Sequence, residues 1–323
     1  MAFTGRQLAM VINLDKCLGC HTCTVACKNL WTNKQGREYM YWNNVESKPG
    51  PGYPRNWESM GGGFDRYGNV QLGTLPTRDD YGRDPDYDYQ NGLFEGGGIV
   101  DANPEPTWLS NWDEDVGDGT FPNNYYMYIP RLCNHCTNPA CLAACPRNAI
   151  YKRDEDGIVL VDQERCRGYR YCVRACPYKK VLYNAFTKQS EKCIFCYPRI
   201  EKGKPNACAM QCPGRIRHVA FLDDTTSDVY KLVTQHQVAI PLHPEYGTGP
   251  NVYYVPPFSG PSQVDDQGRP LNVDRIPMDY LRSLFGAGVD GVIATLRAER
   301  DTVSNGGSSE VLEVLNSNNR FSL

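Results

Sequence analysis

Short β-strands are predicted wherever apolar and polar residues alternate along the chain. Residues 6–15 place Leu8, Met10, Ile12 and Leu14 on one face of a strand. Further strand-like runs are residues 157–161, 181–183 and 218–222. Helices are predicted near residues 23–31 and within residues 277–297, where apolar residues recur at helical spacing. Short strands mixed with helices favour an α+β fold.

Cysteine usage adds the most to this picture. The chain of 323 residues contains 15 cysteines, an odd number that a pure disulfide framework would leave unpaired. They form four groups: Cys17, Cys20, Cys23 and Cys27; Cys133, Cys136, Cys141 and Cys145; Cys166, Cys172 and Cys176; Cys193, Cys196, Cys208 and Cys212. Closely spaced cysteines followed by one more and a proline are typical of ferredoxin-type iron–sulfur motifs. Zinc also binds Cys-x2-Cys pairs, but it explains neither the later cysteines nor the prolines.

In two-cluster ferredoxins the last cysteine of a motif ligates the other cluster. We therefore expect the first motif to pair with the fourth, and the second with the third. The predicted ligands are Cys17, Cys20, Cys23 and Cys212 for cluster one; Cys193, Cys196, Cys208 and Cys27 for cluster two; Cys133, Cys136, Cys141 and Cys176 for cluster three; and Cys166, Cys172 and Cys145 for cluster four.

The third motif lacks one ligand. Tyr169 stands where a cysteine would complete the motif that begins at Cys166. A cluster with an open corner tends to lose that iron, so we predict a [3Fe-4S] cluster beside Tyr169 and [4Fe-4S] clusters at the other three sites. The alternative is that Tyr169 only packs there, while water or hydroxide holds a fourth iron.

The motif positions divide the chain into two ferredoxin-like units, an insertion and an extension. Residues 1–32 and 180–225 form the unit for clusters one and two, and residues 128–179 form the unit for clusters three and four. Residues 33–127 are a long insertion of low regularity, and residues 226–323 are a C-terminal extension that either wraps the core or docks a partner.

The insertion is rich in glycine and proline, which predicts little regular structure. Its aromatic residues argue against disorder. They include Trp42, Trp57, Trp108, Trp112, Tyr125 and Tyr126. We interpret the insertion as a large partner interface, the alternative being a folded cover over the clusters.

Charge and motif content exclude several functions. The net charge of −3 gives no electrostatic support for binding nucleic acid. We find no apolar run of about 18 residues and therefore expect no membrane span, and we expect no secretory signal at the N-terminus. Neither a nucleophile–base motif nor a phosphate-binding glycine loop is present, so we expect a conductor of electrons and not a catalyst.

Cations crowd the third motif and suggest where the highest reduction potential lies. They are Arg165, Arg167, Arg170, Arg174, Lys179 and Lys180. Positive charge stabilises the reduced, more negative state of a cluster. On this basis we predict the highest potential for cluster four, the alternative being that these cations are ion-paired or simply exposed.

Four motifs, the Tyr169 substitution and the runs 31–44, 166–180 and 193–199 together resemble a known family. They are similar to the iron–sulfur beta subunits of the dimethyl sulfoxide reductase superfamily, in the nitrate reductase-like branch. That branch includes ethylbenzene dehydrogenase, dimethyl sulfide dehydrogenase, selenate reductase, and chlorate and perchlorate reductases. The resemblance covers most of the chain and weakens after about residue 257.

The resemblance implies an electron-transfer subunit with defined partners. It implies an alpha subunit with a molybdenum bis-pterin centre facing cluster one, and a gamma subunit with haem b on the three-iron side. It also implies a periplasmic location, reached by export with the alpha subunit, or alternatively the cytoplasmic side of the membrane. Other classes are a subunit of a formate dehydrogenase or hydrogenase, expected to have a full cysteine set, and a free-standing polyferredoxin, which the aromatic insertion disfavours.

Overall fold

Strands from distant parts of the chain meet in one five-stranded sheet. The structure, a computed structural model, describes residues 5–81 and 117–323. The central strand β1 (Leu8–Asn13) pairs antiparallel with β8 (Arg217–Phe221) and parallel with β10 (Val252–Val255). The edges are β13 (Phe321–Ser322), parallel to β8, and β9 (Ile240–Pro241), antiparallel to β10.

The other described strands form two-stranded antiparallel sheets. These are β2 (Asn43–Lys48) with β3 (Met127–Leu132), β4 (Ile150–Lys152) with β5 (Val159–Val161), β6 (Val181–Asn184) with β7 (Gln189–Lys192), and β11 (Ser262–Val264) with β12 (Pro270–Asp274). The pair of β2 and β3 joins the predicted insertion to the start of the second cysteine motif.

Most of the helices in the described residues are a single turn, and several of them follow a cysteine loop. They are α1 (Thr22–Trp31), α2 (Ala140–Ala143), α3 (Tyr171–Ala175), α4 (Tyr197–Ile200), α5 (Ala207–Met210), α6 (Asp228–Tyr230), α7 (Met278–Phe285), α8 (Val289–Ser304) and α9 (Glu310–Leu315). A π-helical turn, Lys231–Gln235, continues α6, and 3₁₀ turns cover Leu14–Lys16, Trp57–Ser59, Asp79–Tyr81 and Pro244–Tyr246. The fold is therefore mixed α and β.

The first strand is present where the alternation predicts it, but it is buried on both faces. Ala9 and Val11 are as inaccessible to solvent as Leu8 and Met10. A central strand covered on both sides has no solvent face, so alternation understates its burial. The shorter runs near residues 159, 181 and 218 are strands as predicted.

The C-terminal extension wraps the core. It supplies β10 and β13 to the central sheet, next to strands that flank the cysteine motifs. The helical pattern at residues 277–297 corresponds to two helices, α7 and α8, because Gly286 takes a positive φ of 76° and ends the first.

The described part of the insertion packs into the same core. Trp42 and Trp57 are buried, whereas Trp108 and Trp112 lie outside the described residues. The Glu46 carboxylate, on β2, accepts hydrogen bonds from Arg131 Nε at 2.7 Å and from Trp57 Nε1 at 3.1 Å. None of the helices in residues 5–81 and 117–323 combines the length and apolar character needed to cross a bilayer.

Candidate iron–sulfur cluster sites

The four cysteine motifs share one backbone turn. In each motif the residue before the second ligand position has a positive φ, between 43° and 65°; these residues are Gly19, His135, Gly168 and Phe195. Glycine tolerates this left-handed conformation, and other residues adopt it at a cost. The residue that follows Gly168 is Tyr169. Tyr169 thus occupies the backbone position that Cys20, Cys136 and Cys196 occupy in the other motifs, and its side chain is 59% exposed.

A second turn repeats after the last cysteine of three motifs. The third residue after Cys145, Cys176 and Cys212 again has a positive φ; these residues are Asn148, Lys179 and Arg215. Each donates its backbone N–H to the carbonyl of that cysteine at 3.2 Å. In the first motif, where Lys28 replaces the proline, α1 continues instead. The prolines therefore mark a recurring turn.

Two of the predicted ligand sets each line one cavity. The first cavity is lined by Cys17, Cys20, Cys23 and Cys212, together with Arg217. The second is lined by Cys133, Cys136, Cys141 and Cys176, together with His135. The fold thus brings together the cysteines that the crossed arrangement assigns to clusters one and three.

Electrostatic interactions between thiols show that the cysteines of the other two sets lie near one another. Burial, followed by the nearby thiols of Cys193, Cys208 and Cys196, raises the pKa of Cys27 well above its ordinary value. Burial raises the pKa of Cys172 to about 11, and the thiols of Cys145 and Cys166 add to that rise. Cys27 therefore lies with the fourth motif, and Cys145 lies with the third.

Each set neighbours the next. Burial raises the pKa of Cys208 to about 12, with a contribution from Cys23 of the first set. Burial also raises the pKa of Cys193, with a contribution from Cys133 of the third set. Cys141 and Cys172 pack in one apolar cluster, so the third set adjoins the fourth. The sets follow one another in the order one, two, three, four.

The chemistry of the sites fits iron–sulfur clusters. Burial disfavours the thiolate form, and a bound metal compensates for this cost. Polar groups already point at sulfur: Trp31 Nε1 donates to Cys196 Sγ at 3.1 Å, and the Ala149 N–H donates to Cys145 Sγ at 3.3 Å. Within residues 5–81 and 117–323, no three Cys, His, Asp or Glu side chains gather tightly enough for a single metal ion.

His135 offers a further donor to the third cavity. Its Nδ1 accepts the Val159 N–H at 3.1 Å, so the neutral ring has its proton on Nε2. Burial, with Lys192 and Lys152 nearby, lowers the pKa of His135 well below its usual value and keeps the ring neutral. Its Nε2 is buried and has no hydrogen-bond partner among the described residues. This N–H is suited to a cluster sulfur, as the position of His135 between two cysteines suggests.

The cations flanking the third motif are distributed differently from the sequence prediction. Arg165 and Arg167 are exposed to solvent. Lys179 and Lys180 are buried, and both interact electrostatically with Cys176, which belongs to the third set. Part of the charge expected around cluster four therefore lies beside Cys176 of the third cysteine set.

Sequence reasoning missed several buried cations, among them Arg217 and Lys192. Arg217 opens β8 and lines the first cavity, while Lys192 ends β7 and donates to Cys133 Sγ at 3.5 Å. Lys192 immediately precedes Cys193, a position that could have drawn attention to it. Arg217 stands just before the predicted strand at residues 218–222, and no sequence signal sets it apart from a surface arginine.

Comparisons with known proteins identify relatives along nearly the whole chain. Residues 124–221 match a family described as a 4Fe-4S dicluster domain. The chain is 58% identical to dimethylsulfide dehydrogenase subunit beta of Rhodovulum sulfidophilum, covering 96% of this chain and 95% of the relative. It is 56% identical to selenate reductase subunit beta of Thauera selenatis, covering 96% of each. It is 55% identical to respiratory nitrate reductase subunit beta of Haloferax mediterranei, covering 97% and 91% respectively.

Proposed function

The chain belongs to the iron–sulfur beta subunits of the dimethyl sulfoxide reductase superfamily, in the nitrate reductase-like branch, and we propose that four iron–sulfur clusters form its electron path. It is the electron-transfer subunit of a molybdenum-dependent oxidoreductase complex and is not catalytic on its own. The observation that carries the four-cluster proposal is the gathering of its 15 cysteines into four neighbouring sets.

The ligand sets are those of the crossed arrangement. Cluster one takes Cys17, Cys20, Cys23 and Cys212; cluster two takes Cys193, Cys196, Cys208 and Cys27; cluster three takes Cys133, Cys136, Cys141 and Cys176; cluster four takes Cys145, Cys166 and Cys172. The first three are [4Fe-4S] clusters and the fourth is a [3Fe-4S] cluster. The position of Tyr169 at the missing corner supports the three-iron assignment.

The same arrangement supports two ferredoxin-like units. The first and fourth motifs share the first two sets, and the second and third motifs share the other two. The dicluster match at residues 124–221 spans the second unit and the fourth motif. The Asn251 side chain, from the C-terminal extension, donates to the His135 carbonyl at 2.9 Å, so the extension supports the loop of the second motif.

The protein's own residues hold the clusters and exclude water from them. The clusters supply one-electron steps when bound. The cysteine loops fix the positions of the thiolates, and the backbone turns bring N–H groups close to sulfur. Burial of Cys23, Cys27 and Cys208 keeps water from the junction between the first two sets. The bound clusters would supply the electron path between neighbouring sites, and the residues of this chain would hold them in place.

Exposed apolar side chains at both ends of the path favour partner docking. At the first set, Leu18 is 70% exposed, and Cys20 is also accessible to solvent. Near the fourth set, Tyr169 and Phe186 are both mostly exposed. Following the family resemblance, we assign the first end to the alpha subunit with the molybdenum bis-pterin centre. We assign the second end to a gamma subunit with haem b.

The insertion at residues 33–127 serves two roles in this proposal. Trp42 and Trp57 act as a folded cover because both are buried within the chain. Tyr67 and Phe121 are exposed, which supports a partner interface on the outer side. A periplasmic location, reached by export with the alpha subunit, completes the proposal. Cell fractionation tests this location. Recovery of the assembled complex with cytoplasmic marker proteins would contradict it.

The complex type is tested by purifying the chain from its native host at native expression level. We expect a large subunit in equal amount, with molybdenum, and a third subunit with haem b. A lone iron–sulfur protein, or a large partner without molybdenum, would contradict the proposed partners. A two-subunit complex with molybdenum but without haem would remove only the gamma subunit.

A further inference from the structure

Arg217 is a fully buried cation without a carboxylate partner. Its exposed fraction is 0%, and no ion pair joins it to an acidic residue in the part of the chain that the structure describes. Its Nη2 donates to Asn43 Oδ1 at 2.9 Å, and its Nη1 contacts Met10 Sδ at 3.6 Å. Both partners are neutral. An unneutralised buried charge is costly, so its presence calls for an anion that belongs to the site.

The geometry around Arg217 indicates where this anion lies. The side chain lines the cavity of Cys17, Cys20, Cys23 and Cys212. Its Nε is buried and has no hydrogen-bond partner among the described residues. Burial would lower the pKa of this guanidinium, but the thiols of Cys23, Cys208, Cys212 and Cys17 outweigh burial and raise it. Three of these thiols are predicted ligands of cluster one, and Cys208 is a predicted ligand of cluster two.

Arg131 provides a contrast within the same core. This arginine is also buried, but its Nε donates to the Glu46 carboxylate at 2.7 Å. The fold therefore neutralises Arg131 with a carboxylate and places Arg217 against four cysteines. This difference fits a protein in which the charge of Arg217 is balanced by a bound anionic group.

We propose that Arg217 is the counter-charge of cluster one and raises its reduction potential. The inference rests on the proposed cluster one and adds a tuning residue to it. A cluster held by four thiolates has a net negative charge, which grows when one electron is added. A fixed positive charge at low dielectric stabilises the reduced state more than the oxidised state. The orphan Nε–H reinforces the effect by donating to cluster or thiolate sulfur.

Two substitutions of Arg217 distinguish the effect of its charge from the effect of its packing. Arg217→Gln keeps a hydrogen-bond donor and removes the charge, whereas Arg217→Lys keeps the charge. Both are tested in the intact complex by a redox titration followed by electron paramagnetic resonance. The signal of cluster one is assigned as the one that changes in Cys20→Ser, because Cys20 is a predicted ligand of cluster one only. At the wild-type midpoint, we expect Arg217→Gln to lower the reduced-to-oxidised ratio of cluster one at least tenfold, or 59 mV for a one-electron couple.

The expected pattern across the other sites and variants is specific. Arg217→Lys changes the ratio of cluster one less than threefold, and cluster three is unaffected by either substitution. Arg215→Gln is the matched control because Arg215 is exposed and lies near Cys212; solvent screening keeps its effect below threefold. Lys192→Gln provides the reciprocal test, since Lys192 donates to Cys133 Sγ and its loss should shift cluster three instead.

Several outcomes would overturn this inference. No shift in Arg217→Gln, or equal shifts in Arg217→Gln and Arg217→Lys, would show that Arg217 acts only through packing. If Arg217→Gln fails to load cluster one, the lysine variant decides: a retained cluster at near wild-type potential supports the inference, and loss in both variants contradicts it. A wild-type complex without any signal that responds to Cys20→Ser would refute the proposed cluster one itself.

Discussion

At the scale of single residues, motif spacing marks the cysteines as candidate ligands. The cations buried beside them are recognised only in the folded structure. Motif spacing predicts which cysteines ligate each cluster, and this ligand assignment stays a prediction. Spacing could not predict Arg217 or the burial of Lys179, because burial depends on packing between residues far apart in sequence. The distribution of buried cations differs from the pattern expected around the third motif. The highest potential at cluster four stays a prediction.

Tyr169 is the residue on which the three-iron assignment depends. Replacing Tyr169 with cysteine supplies a thiolate at the backbone position that Cys136 occupies in the second motif. We expect the three-iron signal of the oxidised complex to disappear and a fourth four-iron signal to appear on reduction. Electron paramagnetic resonance with iron analysis checks both changes.

Tyr171→Cys is the matched control for this experiment. Tyr171 is two residues further on, is exposed, and lies in the first turn of α3. Its substitution should leave the three-iron signal unchanged. A three-iron signal that persists in Tyr169→Cys would show that this position does not face the open corner.

Glu46 neutralises a buried cation, so its charge matters for stability. The carboxylate is fully buried and is paired with Arg131. Burial would raise the pKa of Glu46, but Arg131, Lys48 and Lys180 outweigh burial and hold the pKa below its usual value. Glu46→Gln leaves Arg131 unpaired, which should cost about 3–5 kcal/mol. Hydrogen exchange of the amides in β2 and β3 measures this loss.

Glu155→Gln is the control for Glu46→Gln. Glu155 is 74% exposed and lies 3.7 Å from Arg153, so its loss should cost less than about 1 kcal/mol. Equal protection of β2 and β3 in the two variants would contradict a stabilising role for the buried pair.

At the scale of secondary structure, the positions of the strands were easier to predict than their pairing partners in the sheet. Alternation located β1, β5, β6 and β8 in the sequence, since each has an apolar run between turn signals. Pairing was harder because β1 lies between strands more than 200 residues away. The regular strand β2 in the insertion went unpredicted, since its sequence, Asn-Asn-Val-Glu-Ser-Lys, is polar and is buried through hydrogen bonds and ion pairs.

The C-terminal strand β10 gives a test at this scale. A chain that ends at residue 225 lacks β10, which leaves one edge of β1 unpaired and removes the support that Asn251 gives to the second motif. We expect this truncated chain to lose most of its iron. Iron analysis of the purified chain measures the loss.

A chain that ends at residue 316 is the control for the truncation. It lacks only the edge strand β13 among the strands of the sheet. It should keep most of its iron. Full iron content in the shorter chain, ending at residue 225, would show that the cysteine-bearing part folds without the extension.

At the scale of the whole molecule, the cysteine sets form a linear series with a first and a last member. The four cysteine sets adjoin one another in order, and apolar residues are exposed near the first and the last. The sequence predicts four ligand sets and their crossed pairing, and both stay predictions. Their linear order depends on electrostatic interactions such as the one between Cys23 and Cys208, which only the folded chain shows.

The central claim is that this subunit conducts electrons through four iron–sulfur clusters. The most direct measurement is a redox titration of the intact complex, followed by electron paramagnetic resonance and combined with iron analysis of this subunit. The account predicts one three-iron signal in the oxidised sample, three four-iron signals that appear on reduction, and about 15 iron atoms in the subunit. Fewer than four centres, or an oxidised sample without a three-iron signal, would contradict it.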